Sequence, residues 1–97
     1  MAHYVDDDFE WDFAKSDETY VRRGFDFFTA SELFERPHLI LPDEQHSADE
    51  TRYICIGTVR GVFLAVVVTD RAARKRIISA RFATKDEINA FAKEHGV

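Results

Sequence analysis

The chain has 97 residues, 45% of them hydrophobic and 32% charged, with only 4 Gly and 2 Pro. This excludes disorder, collagen-like repeats and low complexity, and at this length one core burying roughly 60% or more of the unfolded surface is expected. The formal charge of −5 is unevenly spread, because residues 1–50 hold 14 Asp/Glu against 4 Lys/Arg and residues 51–97 hold 4 against 9. Such asymmetry suits a protein that meets a polyanion on one surface and a basic protein on another; the plainer reading is an acidic domain with chance clustering.

The sequence reads as a single domain over 1–97, with residues 1–8, rich in Asp6, Asp7 and Asp8, as a flexible acidic tail. The start has neither a basic region nor an apolar stretch, so it is not a secretory signal. The single Cys55 forms no internal disulfide and has no Cys/His neighbours for a metal, and the cytoplasm is therefore the expected compartment. No membrane span, metal or cofactor is expected, since the longest apolar run, Val62 to Val68, suits a buried strand.

Phe9-Glu10-Trp11 reads as a short first strand, and Asp12 as the N-cap of a helix running through Lys15 to about Arg22 and stopped by Gly24. A second helix fits Asp26 to Glu35, with Phe27, Phe28, Ala30, Leu33 and Phe34 as core residues and Pro37 forbidding continuation. His38 to Leu41 is a strand candidate, and the acidic stretch from Asp43 to Glu50 is an exposed loop. Strands at Arg52–Thr58, Val62–Thr69 and Arg76–Phe82 form an antiparallel meander, joined by a tight hairpin at Arg60-Gly61 and a looser basic connection from Asp70 to Lys75. Thr84 to Glu87 matches a capping box before a last helix that carries Ile88 and Phe91 on one face and ends near Gly96. The fold class is α+β, a mainly antiparallel sheet with two N-terminal helices and one C-terminal helix.

Strand alternation places Arg76, Ile78, Ala80 and Phe82 on one side of the last strand and Ile77, Ser79 and Arg81 on the other. The middle strand is apolar on both faces and must be central. If the helices cover one face, the other is an open surface on which Arg52 and Arg81 can hold phosphates through forked, charge-assisted bonds. The competing reading makes Arg52 and Arg76 solvated strand-end charges and pairs Arg81 with Glu50 or Glu87. Gly-rich phosphate loops, G-x-S-x-G elbows and H-E-x-x-H motifs are absent.

Three segments in order carry a family resemblance: Phe9-Glu10-Trp11-Asp12 with Lys15; Asp43, His46, Glu50, Arg52, Tyr53, Ile56 and Gly57; and Arg76-Ile77-Ile78-Ser79-Ala80-Arg81 with Ala83, Thr84 and Glu87. Together they resemble the BrnT toxin family, also known as DUF497, over about Phe9 to Phe91. The resemblance implies a RelE-like fold, a bacterial ribonuclease that blocks translation, and a BrnA-type antitoxin whose DNA-binding domain connects the complex to operator DNA. Cleavage of RNA without a metal needs a base for the ribose 2′-hydroxyl, cations for the charged phosphorane and an acid for the leaving oxygen. The catalytic candidates are Arg52, Arg81 and Lys15 for phosphate, with Glu50 or His46 for proton exchange, and Arg22, Arg23 and Arg76 are RNA-binding candidates.

The chain departs from the family pattern in two places. Where the family carries Lys-His-Gly after the first helix, this chain has Arg22-Arg23-Gly24, and the family's aromatic near the end, often Tyr, is Phe91. Arginine stays protonated near neutral pH and cannot relay a proton as imidazole does. Two classes of function follow: an active endoribonuclease toxin, or a catalytically weak relative that binds antitoxin or RNA without cleaving it.

Overall fold

In the computed structural model the described residues are 2–46 and 50–96, the side chain of His46 excepted. Among them six strands form one sheet in the order β1-β2-β6-β5-β4-β3. Its strands are β1 (His3–Val5), β2 (Phe9–Asp12), β3 (Leu39–Pro42), β4 (Arg52–Val59), β5 (Val62–Arg71) and β6 (Arg74–Phe82). All neighbours are antiparallel except β2 and β6, which pair in parallel through Phe9 with Lys75 and Glu10 with Arg76. The α+β class read from the sequence is the observed one.

The segment read as an acidic tail supplies β1. His3 to Val5 pair with Glu10 to Asp12, the Tyr4 ring stacks on Trp11 at 4.1 Å, and the Asp6 carboxylate accepts from the backbone N–H groups of Asp8 and Phe9, both at 2.7 Å. An Asp carboxylate that closes its own turn competes well with solvation, and the acidic run conceals this turn chemistry.

Helix α1 (Phe13–Arg23) begins at Asp12, whose carboxylate accepts from the Ala14 N–H, and ends at left-handed Gly24. It buries only Ser16 and Thr19; the Ser16 hydroxyl accepts from the Phe27 N–H at 2.9 Å, tying α1 to the next element. The expected second helix divides into α2 (Phe27–Ala30), capped by Asp26, and a 3-10 segment at Ser31–Glu35. Of its expected core residues Phe27, Ala30 and Leu33 are buried, whereas Phe28 is 60% exposed. Phe27 and Phe28 are adjacent and cannot both face inward on a helix.

The Arg60-Gly61 hairpin has positive φ at both residues, as a two-residue primed turn requires. The connection expected to be loose between Asp70 and Lys75 is instead a second tight hairpin, with strands extending to Arg71 and from Arg74 and with Ala72 at φ 55°. Helix α3 (Lys85–His95) begins at Thr84 with both halves of the capping box formed.

Two apolar clusters occupy opposite faces of the sheet. Trp11, Cys55, Leu64, Val66, Val68, Ile77 and Ala80 pack beneath Phe27, Ala30 and Leu33. Ile56 and Ala65 pack beneath Phe91 of α3. The second face, expected to be open, is thus partly roofed by α3, which lies over β3 and β4. Burial pushes the Cys55 thiol up to about 11, leaving it an inert core group.

Candidate nucleic-acid interface

Beside the apolar cluster under α3 the second face carries a cleft of about 420 Å³ whose lining includes Lys15, Asp43, Arg52, Ile54, Ser79 and Arg81. Three elements position its cations. Arg52 opens β4 and pairs in register with Thr69, Arg81 lies on β6 opposite Ala65, and Lys15 stands on the first turn of α1. Strand alternation sends Arg52, Ile54 and Ile56 to the same side, so the guanidinium continues a row whose inner member is capped by α3.

A bulge in β6 shapes the cleft. Val67 pairs with Ser79 and Val68 with Ile77, so Ile78 is an extra residue on β6. Simple alternation, which put Ile77 with Ser79 and Arg81, fails here: Ile77 and Ala80 both enter the helix-side cluster, while Ile78, Ser79 and Arg81 line the cleft. The repeated isoleucines hide the bulge from sequence inspection.

Arg81 donates two bonds to the Glu87 carboxylate, at 2.7 and 2.9 Å. This pairing holds the guanidinium pKa above its ordinary value and, with help from the Thr84 backbone N–H, holds the Glu87 carboxyl below its own. Glu87 also closes the capping box of α3, so one carboxylate fixes both the helix start and the arginine's direction. Glu50 lies outside the cleft lining, with Arg52 at 3.7 Å and Arg71 at 3.1 Å. His46 ends a short 3-10 turn, Glu44–His46; its side chain lies outside the described residues.

The RNA-binding candidates separate. Arg23 lines a neighbouring cleft with Lys15, Thr19, Ser79 and Arg81. Arg22 is well exposed and donates to Glu18 at 3.1 Å. Arg76 is paired with Glu10 at 2.9 Å, largely covered, and lines neither cleft. Sequence reasoning did not single out Asp43, Gln45 and Ser79 as site residues, although strand alternation put Ser79 on the Arg81 side and Asp43 stands in a segment that carries the family resemblance; no sequence signal marks Gln45. Among the described residues no group of three or more His, Cys, Asp or Glu is arranged to hold a metal, and no helix is long and apolar enough to cross a membrane.

No curated protein matches this chain significantly. A family model does: it is described as the ribonuclease toxin BrnT of type II toxin-antitoxin systems, it covers residues 11–87 and hence most of the chain, and it spans α1, the cleft strands and Glu87. Type II toxins work against a protein antitoxin, and by this match the chain belongs to the BrnT family of ribonuclease toxins.

Proposed function

We propose that the chain is a metal-independent endoribonuclease that cleaves RNA in the cytoplasm, inhibits translation, and is neutralised by a BrnA-like antitoxin through which alone the complex meets operator DNA. The supporting observation is the convergence of Lys15, Arg52 and Arg81, from one helix and two strands, on a single cleft. Glu87 and Glu50 already offset part of the charge of Arg81 and Arg52, and the remaining positive charge with exposed Lys15 suits a phosphodiester. The rest of the chain acts with it as one domain over 1–97.

In this mechanism a base takes the proton of a ribose 2′-hydroxyl, and the freed oxygen attacks the adjacent phosphorus. The phosphorane gains negative charge on its equatorial oxygens, which Arg52, Arg81 and Lys15 stabilise. The bond to the 5′-oxygen then breaks, that oxygen takes a proton, and a 2′,3′-cyclic phosphate remains. Glu50, beside Arg52, or His46 exchanges the protons. Removing one preorganised charge donor costs about 10²–10³-fold in rate in comparable sites.

A second reading rests on the Glu87 grip on Arg81: with both bonds occupied, the protein binds antitoxin or RNA and cleaves poorly. Controlled expression in bacteria of this chain and of an Arg52→Ala, Arg81→Ala double variant decides between them. Growth arrest with cleaved cellular RNA, relieved by the double variant, is the expected result. Normal growth and intact RNA with abundant folded protein overturn the nuclease reading and leave the binding one.

A further inference from the structure

The cleft at Arg52 does not end at Ser79. A second cleft of about 260 Å³ adjoins it and shares Lys15, Ile78, Ser79 and Arg81, continuing between α1 and β6 to Arg23. The bulge in β6 creates the join, because it turns Ile78 and Ser79 together toward the clefts and leaves Ser79 exposed where they meet. Lys15 and Arg23 are eight residues apart on α1, which puts them about 12 Å apart along the axis and about 80° apart around it. They therefore stand on one side of the helix about two turns apart, with Lys15 lining both clefts and Arg23 only the second. Both are exposed, and neither side chain has an ion pair or hydrogen bond among the described residues. Of the two carboxylates on this stretch, Asp17 does not line either cleft, and Glu18, which lines the second, is engaged by Arg22.

We infer that the two clefts form one track for single-stranded RNA, in which Arg23 holds a second phosphate beyond the one bound at Lys15, Arg52 and Arg81, with Ser79 at the elbow between them. This deepens the proposed ribonuclease reading and rests on it. The occupant is single-stranded, since the track runs between a helix and a strand and follows one backbone. Recognition through successive phosphates makes the protein sensitive to substrate length.

The test uses the purified chain and RNA oligonucleotides of two, four and six nucleotides, measuring cleavage directly and binding with 2′-O-methyl versions that cannot be cleaved. The wild type is expected to bind the hexanucleotide at least tenfold more tightly than the dinucleotide, with a steeper salt dependence by about one phosphate contact. Arg23→Gln, an exposed helix substitution, is expected to remove most of that gain and the extra salt dependence. Lys93→Gln, which deletes a positive charge from the exposed side of α3, is expected to keep both. Equal binding of all lengths by a wild type that cleaves RNA, or an undiminished length gain in Arg23→Gln, overturns the track while leaving the ribonuclease reading intact. A loss of the gain in Lys93→Gln as well assigns it to overall charge and also overturns the track. A wild type that neither binds nor cleaves any oligonucleotide overturns both.

Discussion

The two faces of this sheet are built from the same strands and do opposite things. On the helix side, Cys55, Leu64, Val66, Val68 and Ile77 meet Phe27, Ala30 and Leu33 in an apolar layer that encloses no charged group among the described residues. On the other side the cluster beneath α3 is smaller, with Ile56 and Ala65 buried and Leu39, Ile54 and Phe63 partly so, and the row then continues into Arg52 and Arg81. Alternation along β4 makes this economical, for Cys55 serves the closed face while Ile54 and Arg52 serve the open one. Packing and the proposed anion binding thereby fall on different sides of one element, and a substitution should injure one with little effect on the other.

The sharpest way to break that division is to empty the closed face. Phe27 is 1% exposed and meets Trp11 edge to face at 6.3 Å, so Phe27→Ala is expected to cost about 3–5 kcal/mol in unfolding free energy, seen as a lower urea midpoint. The Arg52→Ala, Arg81→Ala double variant is expected to lose less than half as much stability, because its ion pairs are partly solvated. If the double variant unfolds as readily as Phe27→Ala, the faces are not independent.

A smaller change probes the same side. Gly57 lies on β4 where a Cβ would stand 3.3 Å from both His38 Cβ and Leu33 Cγ. Gly57→Ala requires Leu33 and His38 to give way by a few tenths of an ångström in a packed layer, at an expected cost of about 1–3 kcal/mol. Ser79→Ala, on the exposed side of β6, is expected to stay within about 0.5 kcal/mol of wild type. Equal losses in a thermal melt would place Ser79 in the packing and not at the cleft.

Much of this was legible from pattern. Asp12, Gly24, Thr84 and Glu87 marked helix ends because their capping chemistry is local, and the unbroken apolar run of β5 required an inner strand, which it is. Arg52, Arg81 and Lys15 were candidates by charge, and the structure brings them to one cleft. What escaped was non-local or ambiguous in period. The strand at His3–Val5 is recruited by pairing with β2 and stacking on Trp11, neither visible in an acidic segment. The bulge at Ile78 is set by its partner strand, and it puts Ile77 in the helix-side cluster and Ile78 in the cleft lining while Ser79 keeps the side alternation gave it. Arg76 carried the same charge signal as Arg81, but its neighbour across the parallel pair is Glu10, a contact 66 residues distant in sequence.

A further small effect concerns Glu87, which joins the cap of α3 to the cleft arginine. Its carboxyl sits below the ordinary value of 4.5, first because Arg81 hydrogen-bonds the charged form. A carboxyl lowered on folding contributes stability that is complete above its unfolded pKa and is lost as pH falls through the folded one. Glu87→Gln keeps a side chain able to accept from the Thr84 N–H, as Gln does in a capping box, but removes the charge opposite Arg81. The variant is expected to be less stable than wild type by about 1 kcal/mol or less at pH 7, with the difference shrinking as pH falls below 4.5. The Asp6 carboxyl, lowered by its bond from Tyr4, contributes an acid-dependent loss common to both proteins, so only the difference between their curves reports Glu87. A difference that persists unchanged to low pH would mean that Glu87 acts through the helix cap alone, and that Arg81 keeps its direction without the charge.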